Sequence, residues 1–71
     1  MSYVAVLYES PHRIIKTLGQ LEALTTQRQI MVARELTKKF ETIYRGTVGE
    51  ILAGINPKEI RGEFVIIIDR E

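Results

Sequence analysis

The stretch EFVIIID, Glu63–Asp69, decides the fold that this chain is expected to adopt. Its centre, FVIII, places five apolar residues in succession. A strand with one face in water alternates apolar and polar residues, so an unbroken apolar run predicts a strand that is covered on both faces. The most apolar strand is therefore expected inside the sheet, with the remaining elements around it.

Three more strands are predicted before this one. Short runs of apolar, β-branched and aromatic residues predict strands at Tyr3–Tyr8, Gln29–Glu35 and Glu41–Arg45. The second and third of these are separated only by a short polar turn around residues 37–39. They are therefore expected to form an antiparallel hairpin.

Two helices are predicted between the strands. Apolar residues at helical spacing predict the first helix over residues 11–24, with Ser10 as its N-cap. Thr47 is followed three residues later by Glu50, which is the sequence of a capping box, so a second, shorter helix should begin there and stop at Gly54. The predicted order of elements is βαββαβ.

This order predicts an α/β fold in a single domain that spans residues 1–71. Two crossover helices imply parallel strand pairs, and the hairpin adds an antiparallel strand, so a small mixed sheet is expected. With the most apolar strand inside, the predicted strand order is 1-4-2-3. The first strand then lies at an edge, and it is apolar enough that a further segment or a partner is expected to cover it.

Composition excludes several classes of function. Ten basic and nine acidic residues leave a formal net charge of +1, which is not the strongly basic balance of a domain that binds nucleic acid over its whole surface. The chain has no cysteine, so disulfides and thiolate metal sites are excluded, and no metal site is predicted. Its apolar runs are too short to span a membrane, so a soluble, cytoplasmic protein without membrane partners is expected.

Two strand ends carry the residues that suggest chemistry. Glu9 to Arg13 follows the first strand, and Arg34 to Lys38 ends the second. The first and second strands run in the same direction in the predicted sheet, so both corners should lie side by side on one rim. The simpler interpretations are that Ser10 and Pro11 only start a helix, that Arg13 only pairs with Glu9, and that the second corner is a solvated turn.

No catalytic residue can be assigned from the chain itself. It has one histidine and no cysteine, no serine beside a base and no glycine-rich phosphate loop. The sequence therefore contains no self-sufficient active site.

Four stretches carry a family resemblance, in order along nearly the whole chain: YESPHR, VARELTKKFET, YRGT and RGEFVIII. Together they resemble the C-terminal domain of the bacterial small-subunit ribosomal RNA ribose 2′-O-methyltransferases, a branch of the tetrapyrrole-methylase family. The resemblance implies the C-terminal subdomain of a two-domain, S-adenosylmethionine-dependent enzyme, about a third of the whole and inactive alone. It also implies a missing N-terminal domain that holds the other half of the cofactor site, a homodimer, and ribosomal RNA of the small subunit as substrate.

The resemblance also implies roles for individual positions. The cofactor is expected to meet the ends of two strands and the backbone at the start of the last one, at Glu9, Ser10, Leu36, Thr37, Gly62, Glu63 and Phe64. Four other polar residues of the two corners are expected to face the RNA, namely His12, Arg13, Arg34 and Lys38. Two alternatives stay open: a fragment of a tetrapyrrole methylase that acts on a precorrin or uroporphyrinogen, and a non-enzymatic dimerisation or assembly module.

Overall fold

The computed structural model describes residues 3–25, 27–36 and 39–69. Its elements keep the predicted βαββαβ order, with a short 3-10 turn before the last strand. They are β1 (Tyr3–Glu9), α1 (Ile14–Leu24), β2 (Gln29–Leu36), β3 (Lys39–Thr47), α2 (Val48–Gly54), the 3-10 turn Pro57–Glu59 and β4 (Glu63–Asp69). Neither helix in these ranges is long and apolar enough to cross a membrane.

The four strands form one sheet in the order β1-β4-β2-β3, which confirms the predicted order 1-4-2-3. β4 lies inside and pairs with a strand on each side. Phe64 and Ile66 of this strand are fully buried. The continuous apolar run of β4 therefore matches its interior place in the sheet.

Strand direction differs from the prediction. All three adjacent pairs of described strands are antiparallel, so the expectation of a mixed sheet is wrong. Each helix does join two strands that run in the same direction, but the two strands are not neighbours in the sheet. β4 lies between β1 and β2, which α1 joins, and β2 lies between β3 and β4, which α2 joins. The crossover rule fixes the relative direction of the joined strands and leaves another strand free to insert between them.

Both helices pack on the same face of the sheet. The core joins Ile14 and Leu18 of α1 and Val48 and Ile51 of α2 to alternate residues of β2 and β4. Side chains of a strand alternate between the two faces, so only every second residue of β2 and β4 enters this core. The opposite face of the sheet carries no described element, and Val6 and Tyr8 of β1 are exposed there.

The two helix starts differ in how well they were predicted. The capping box is confirmed: the Glu50 N–H donates to Thr47 Oγ1 at 3.2 Å and the Thr47 N–H donates to Glu50 Oε1 at 2.8 Å. The first helix, however, begins at Ile14, and its N-cap is Arg13 without a side-chain cap. Residues 10–13 form a turn instead, in which the Arg13 N–H donates to the Ser10 carbonyl at 3.1 Å. Pro11 is the second residue of this turn, and proline is typical of that position as well as of a helix start.

Candidate functional site

The two predicted corners lie on one rim of the sheet. β1 and β2 run in the same direction and both end where β4 begins. Glu9 and Arg34 are each paired with Phe64, from opposite sides, and Glu35 is paired with Glu63. The structure therefore brings Glu9, Arg34, Leu36 and Gly62–Phe64 together, and these residues are called the site rim below.

Glu9 is held by three neighbours. Its Oε2 accepts a hydrogen bond from the Thr17 hydroxyl at 2.6 Å, and its Oε1 accepts one from the Ser10 N–H at 3.3 Å. Arg13 Nε lies 3.4 Å from the same Oε1. The Thr17 hydrogen bond, followed by the Ser10 N–H and the Arg13 charge, lowers the pKa of the Glu9 carboxyl from its ordinary value, against a smaller opposing effect of burial. Glu9 thus ties the end of β1 to the start of α1.

Replacing Glu9 with glutamine is expected to reduce the dependence of stability on acid pH. A carboxyl whose pKa is lowered by folding stabilises the folded chain at pH values above its ordinary pKa of 4.5, and this contribution is lost as the pH falls through the lowered value. The variant should therefore be less stable than the parent at neutral pH and lose less on acidification. Urea unfolding at neutral pH and well below pH 4.5 measures both effects, with Glu41→Gln, exposed on β3, as the control. An unchanged acid dependence in Glu9→Gln would contradict the role assigned to this carboxylate.

His12 and Arg13 lie in the turn before α1, where both are exposed. They were expected in the first turn of the helix, and the later start of α1 moves them outside it. The simpler interpretation, that Arg13 pairs with Glu9, is confirmed, since its guanidinium is the ion-pair partner of that carboxylate. The Arg13 side chain remains 59% exposed in this ion pair, so it is accessible to a ligand.

The second corner is only partly described. Leu36 is the last residue of β2 and is half-buried, whereas Thr37 and Lys38 lie outside the described residues. Gly62 faces this corner with a φ of +81°, and a Cβ at its position would overlap the carbonyl oxygen of Glu35 and approach Leu36 Cδ1 at 3.3 Å. The absence of a side chain at Gly62 therefore allows the chain entering β4 to lie directly against the end of β2.

Glu63 and Phe64 have different surroundings at the start of β4. Glu63 is exposed, and the Phe64 side chain is fully buried in the core. A ligand at this rim therefore cannot meet the Phe64 ring. The backbone role that the resemblance implied for this segment stays a prediction.

Arg34 is the most unusual residue of the site rim. It is 5% exposed, and its Nη2 donates to Thr42 Oγ1 at 3.1 Å. Its Nε and Nη1 are buried and have no hydrogen-bond partner. No carboxylate of the described residues forms an ion pair with it. A buried cation with donors left over is costly, and such a group marks a place where an acceptor from outside the described residues could bind.

Sequence reasoning missed a second polar contact close to Arg34. The Tyr44 hydroxyl of β3 donates to Glu59 Oε1 of the 3-10 turn at 2.8 Å. Burial, followed by the hydrogen bond to Glu59 and its charge, raises the pKa of Tyr44. These residues are 15 positions apart, and no local pattern predicts their contact. Thr17 was missed too, since its contact is with Glu9, eight positions away.

One other depression in the described structure lies away from the predicted site. A depression lined by Thr25, Gln27, Arg28 and Gln29 lies at the start of β2, at the opposite end of that strand from Leu36. It adjoins none of the predicted site residues. Within residues 3–25, 27–36 and 39–69, no cluster of three potential metal ligands occurs.

The chemistry of the site rim suits part of a nucleoside cofactor. An adenine ring needs apolar walls and a few backbone hydrogen bonds, and half-buried Leu36 beside Gly62 can provide an apolar wall. A positively charged sulfonium is favoured by nearby oxygen atoms. Both Glu9 oxygens already accept hydrogen bonds, so in this conformation Glu9 would act on a cofactor mainly by fixing the corner.

Comparison with known proteins identifies the relatives of this chain. No family model matches it. The chain is 42% identical over 64 residues to "Ribosomal RNA small subunit methyltransferase I" of Bacillus subtilis, which covers 90% of the chain and 22% of that protein. It is 41% identical over 70 residues to the protein of the same name from Neisseria meningitidis, covering 96% of the chain and 24% of that protein. The Helicobacter pylori protein of this name is 36% identical over 66 residues, which cover 93% of the chain and 23% of that protein.

The chain is homologous to a C-terminal part of these methyltransferases. The resemblance stated from YESPHR, VARELTKKFET, YRGT and RGEFVIII is thereby confirmed. The chain spans less than a quarter of the length of the rRNA small subunit methyltransferase I proteins that it matches, between 22% and 24%. The activity of a longer protein therefore enters below as a proposal.

Proposed function

We propose that this chain is the C-terminal domain of a longer S-adenosylmethionine-dependent methyltransferase, called the full-length enzyme below. Its substrate is a ribose 2′-hydroxyl of small-subunit ribosomal RNA. The single observation that carries this proposal is the site rim, where the ends of β1 and β2 flank the start of β4. A cleft wall of this kind needs a second wall, and an N-terminal domain of the same protein supplies it together with the rest of the cofactor site.

In this proposal the cofactor lies against the site rim and supplies an activated methyl group. Glu9 and Ser10 form the wall at the end of β1, and Leu36 and Thr37 form the wall at the end of β2. Backbone groups of Gly62, Glu63 and Phe64 hold the adenine between them. The close approach of Gly62 to the Glu35 carbonyl supports this assignment, because it fixes the backbone of the segment that would carry those hydrogen bonds.

The RNA is proposed to contact polar residues of the two corners, His12, Arg13, Arg34 and Lys38. The exposure of His12 and Arg13 supports this. Arg34 is buried, so its unused donors would meet the RNA only after neighbouring side chains move. A net charge of +1 means that RNA binding by this domain depends on such local contacts, with further contacts on the N-terminal domain. Methyl transfer to a hydroxyl relies mainly on holding donor and acceptor in line, so the fold acts chiefly by positioning them.

We also propose that the full-length enzyme is a cytoplasmic homodimer with the tetrapyrrole-methylase fold. The cytoplasm is where small ribosomal subunits are found. In the same proposal, residues 1–71 fold as a single domain. This is supported by the one sheet and one core that the described residues form.

Methyl transfer by variants of the full-length enzyme tests the function. Glu9→Ala and Arg13→Ala should each lower methylation of small ribosomal subunits by about tenfold or more while the protein stays folded, because each loses a charge-assisted contact at the site rim. Arg28→Ala is the matched control, since Arg28 lies just before β2, at the end of that strand opposite Leu36. Full activity in both site variants would overturn the proposed site.

Substrate choice and the alternatives are tested with the same protein. Methyl transfer to small ribosomal subunits is expected, and transfer to a precorrin or uroporphyrinogen is not; the reverse result would favour a tetrapyrrole methylase. The names of the relatives favour RNA. A non-enzymatic assembly module has the exposed apolar face of the sheet in its favour. Absence of methyl transfer to either substrate, with self-association in sedimentation, would favour that module.

A further inference from the structure

The centre of the sheet face opposite the helices is apolar, and the charged residues Glu35, Glu63 and Arg45 lie around it on the same face. Tyr8, Val65, Ala33 and Ile43 are paired in one row that crosses all four strands. Val6 and Ile67 lie next to this row, on the same side of β1 and β4. These six residues are called the open face. The core that contains the helix side chains includes none of them.

The open face is unusual for a surface in water. Val6 is 48% exposed, Ile43 is 50% exposed and Tyr8 is 74% exposed, whereas Ala33 and Val65 are already buried. An antiparallel sheet with one solvated face normally places polar residues there. Four strands at 4.8 Å spacing and about seven residues of 3.3 Å give about 440 Å² for the whole face, charged margin included. An apolar centre with polar residues around it commonly marks a contact surface.

The size of the open face argues against a second copy of the chain as its occupant. Two such faces packed together would bury about 900 Å² in all, less than the roughly 1,200 Å² at which stable interfaces between separate proteins begin. A segment of the same polypeptide does not lose translational freedom on docking, so a face of this size is sufficient for it. The relatives carry more than three quarters of their length outside the part that this chain matches.

We propose that an amphipathic helical segment of the full-length enzyme, outside residues 1–71, covers the open face. The inference rests on the proposal that the chain is part of a longer protein. The face is about 19 Å wide, enough for two helices at their usual spacing of about 8–10 Å. The domain then becomes a three-layer structure in which β4 is covered on both faces, as its uninterrupted apolar sequence requires.

Cysteine reactivity measures this cover: the 71-residue chain has no cysteine of its own, and in the full-length enzyme the modified peptide is identified by mass spectrometry. Ile43→Cys is placed in the 71-residue chain and in the full-length enzyme, and its rate of modification by a thiol reagent is compared. The rate should be high in the chain and lower by about tenfold or more in the full-length enzyme. Leu24→Cys is the control, since Leu24 is 83% exposed at the end of α1, and its rate should stay similar. Val6→Cys is a second probe of the open face if Ile43→Cys does not fold, as judged by circular dichroism.

Equal rates for the open-face cysteine in both proteins would overturn the proposal. Protection already present in the 71-residue chain, and increasing with its concentration, would also overturn it and would assign the face to a second copy. The measurement is independent of catalysis. Protection without methyl transfer would leave the covered face established and reject the proposed function, whereas methyl transfer without protection would do the opposite.

Discussion

Replacing Gly62 with alanine is expected to lower the free energy of unfolding of the chain by about 3 kcal/mol. Gly62 has a φ of +81°, in the left-handed region that side chains disfavour, and a Cβ would overlap the Glu35 carbonyl oxygen. Neither the strain nor the overlap can be relieved cheaply, because Glu35 belongs to an interior strand. A domain of this size has only about 4–10 kcal/mol of stability, so much of the variant should unfold at moderate urea concentrations.

Gly19→Ala is the matched control, with an expected effect of opposite sign. Gly19 lies within α1, is exposed, and has nothing within 4 Å of the position of an added Cβ. Alanine there should raise the free energy of unfolding by about 0.5–1 kcal/mol, because it removes the conformational freedom of glycine from a helix interior. Urea unfolding of both variants measures the difference. A Gly62→Ala variant as stable as the parent would contradict the close packing of the site rim.

The sequence was sufficient where one strong local signal dominated. The run FVIII predicted an interior strand because no other place in a small sheet buries five successive apolar residues, and Thr47 with Glu50 predicted the start of α2 because both hydrogen bonds of a capping box are local. It was insufficient where one signal fits two structures. Ser10 and Pro11 are typical of a helix start and of a β-turn, and the Glu9 carboxylate binds the Ser10 N–H and favours the turn.

The location of the site could also be predicted, but the hydrogen bonding of its side chains could not. Strand order and direction placed Glu9 and Leu36 on one rim, and this follows from topology alone. The engagement of both Glu9 oxygens depends on Thr17, and the incomplete hydrogen bonding of Arg34 depends on the packing of three strands around it. Such contacts are made by tertiary structure, so they have no signature within the stretch that carries the residue.

Arg34 gives the sharpest test of whether the site rim is functional. A buried guanidinium with one hydrogen bond destabilises a domain relative to an apolar side chain of similar size, because removing its charge from water is not compensated. Such a residue is typical of a site at which stability is exchanged for binding. Arg34→Met is therefore expected to raise the free energy of unfolding of the 71-residue chain by about 2 kcal/mol, measured by urea unfolding.

The same substitution in the full-length enzyme is expected to lower methylation of small ribosomal subunits by about tenfold or more, because a charge-assisted contact to the RNA is lost. Arg28→Met, just before β2 at the end opposite Leu36, should change the free energy of unfolding by about 0.5 kcal/mol or less and methylation by about twofold or less. Opposite signs for stability and activity in Arg34→Met would separate a binding role from a structural one, since a structural arginine loses both together. A less stable chain would mean that the guanidinium is satisfied within the fold, and unchanged methylation would remove Arg34 from the RNA contact surface.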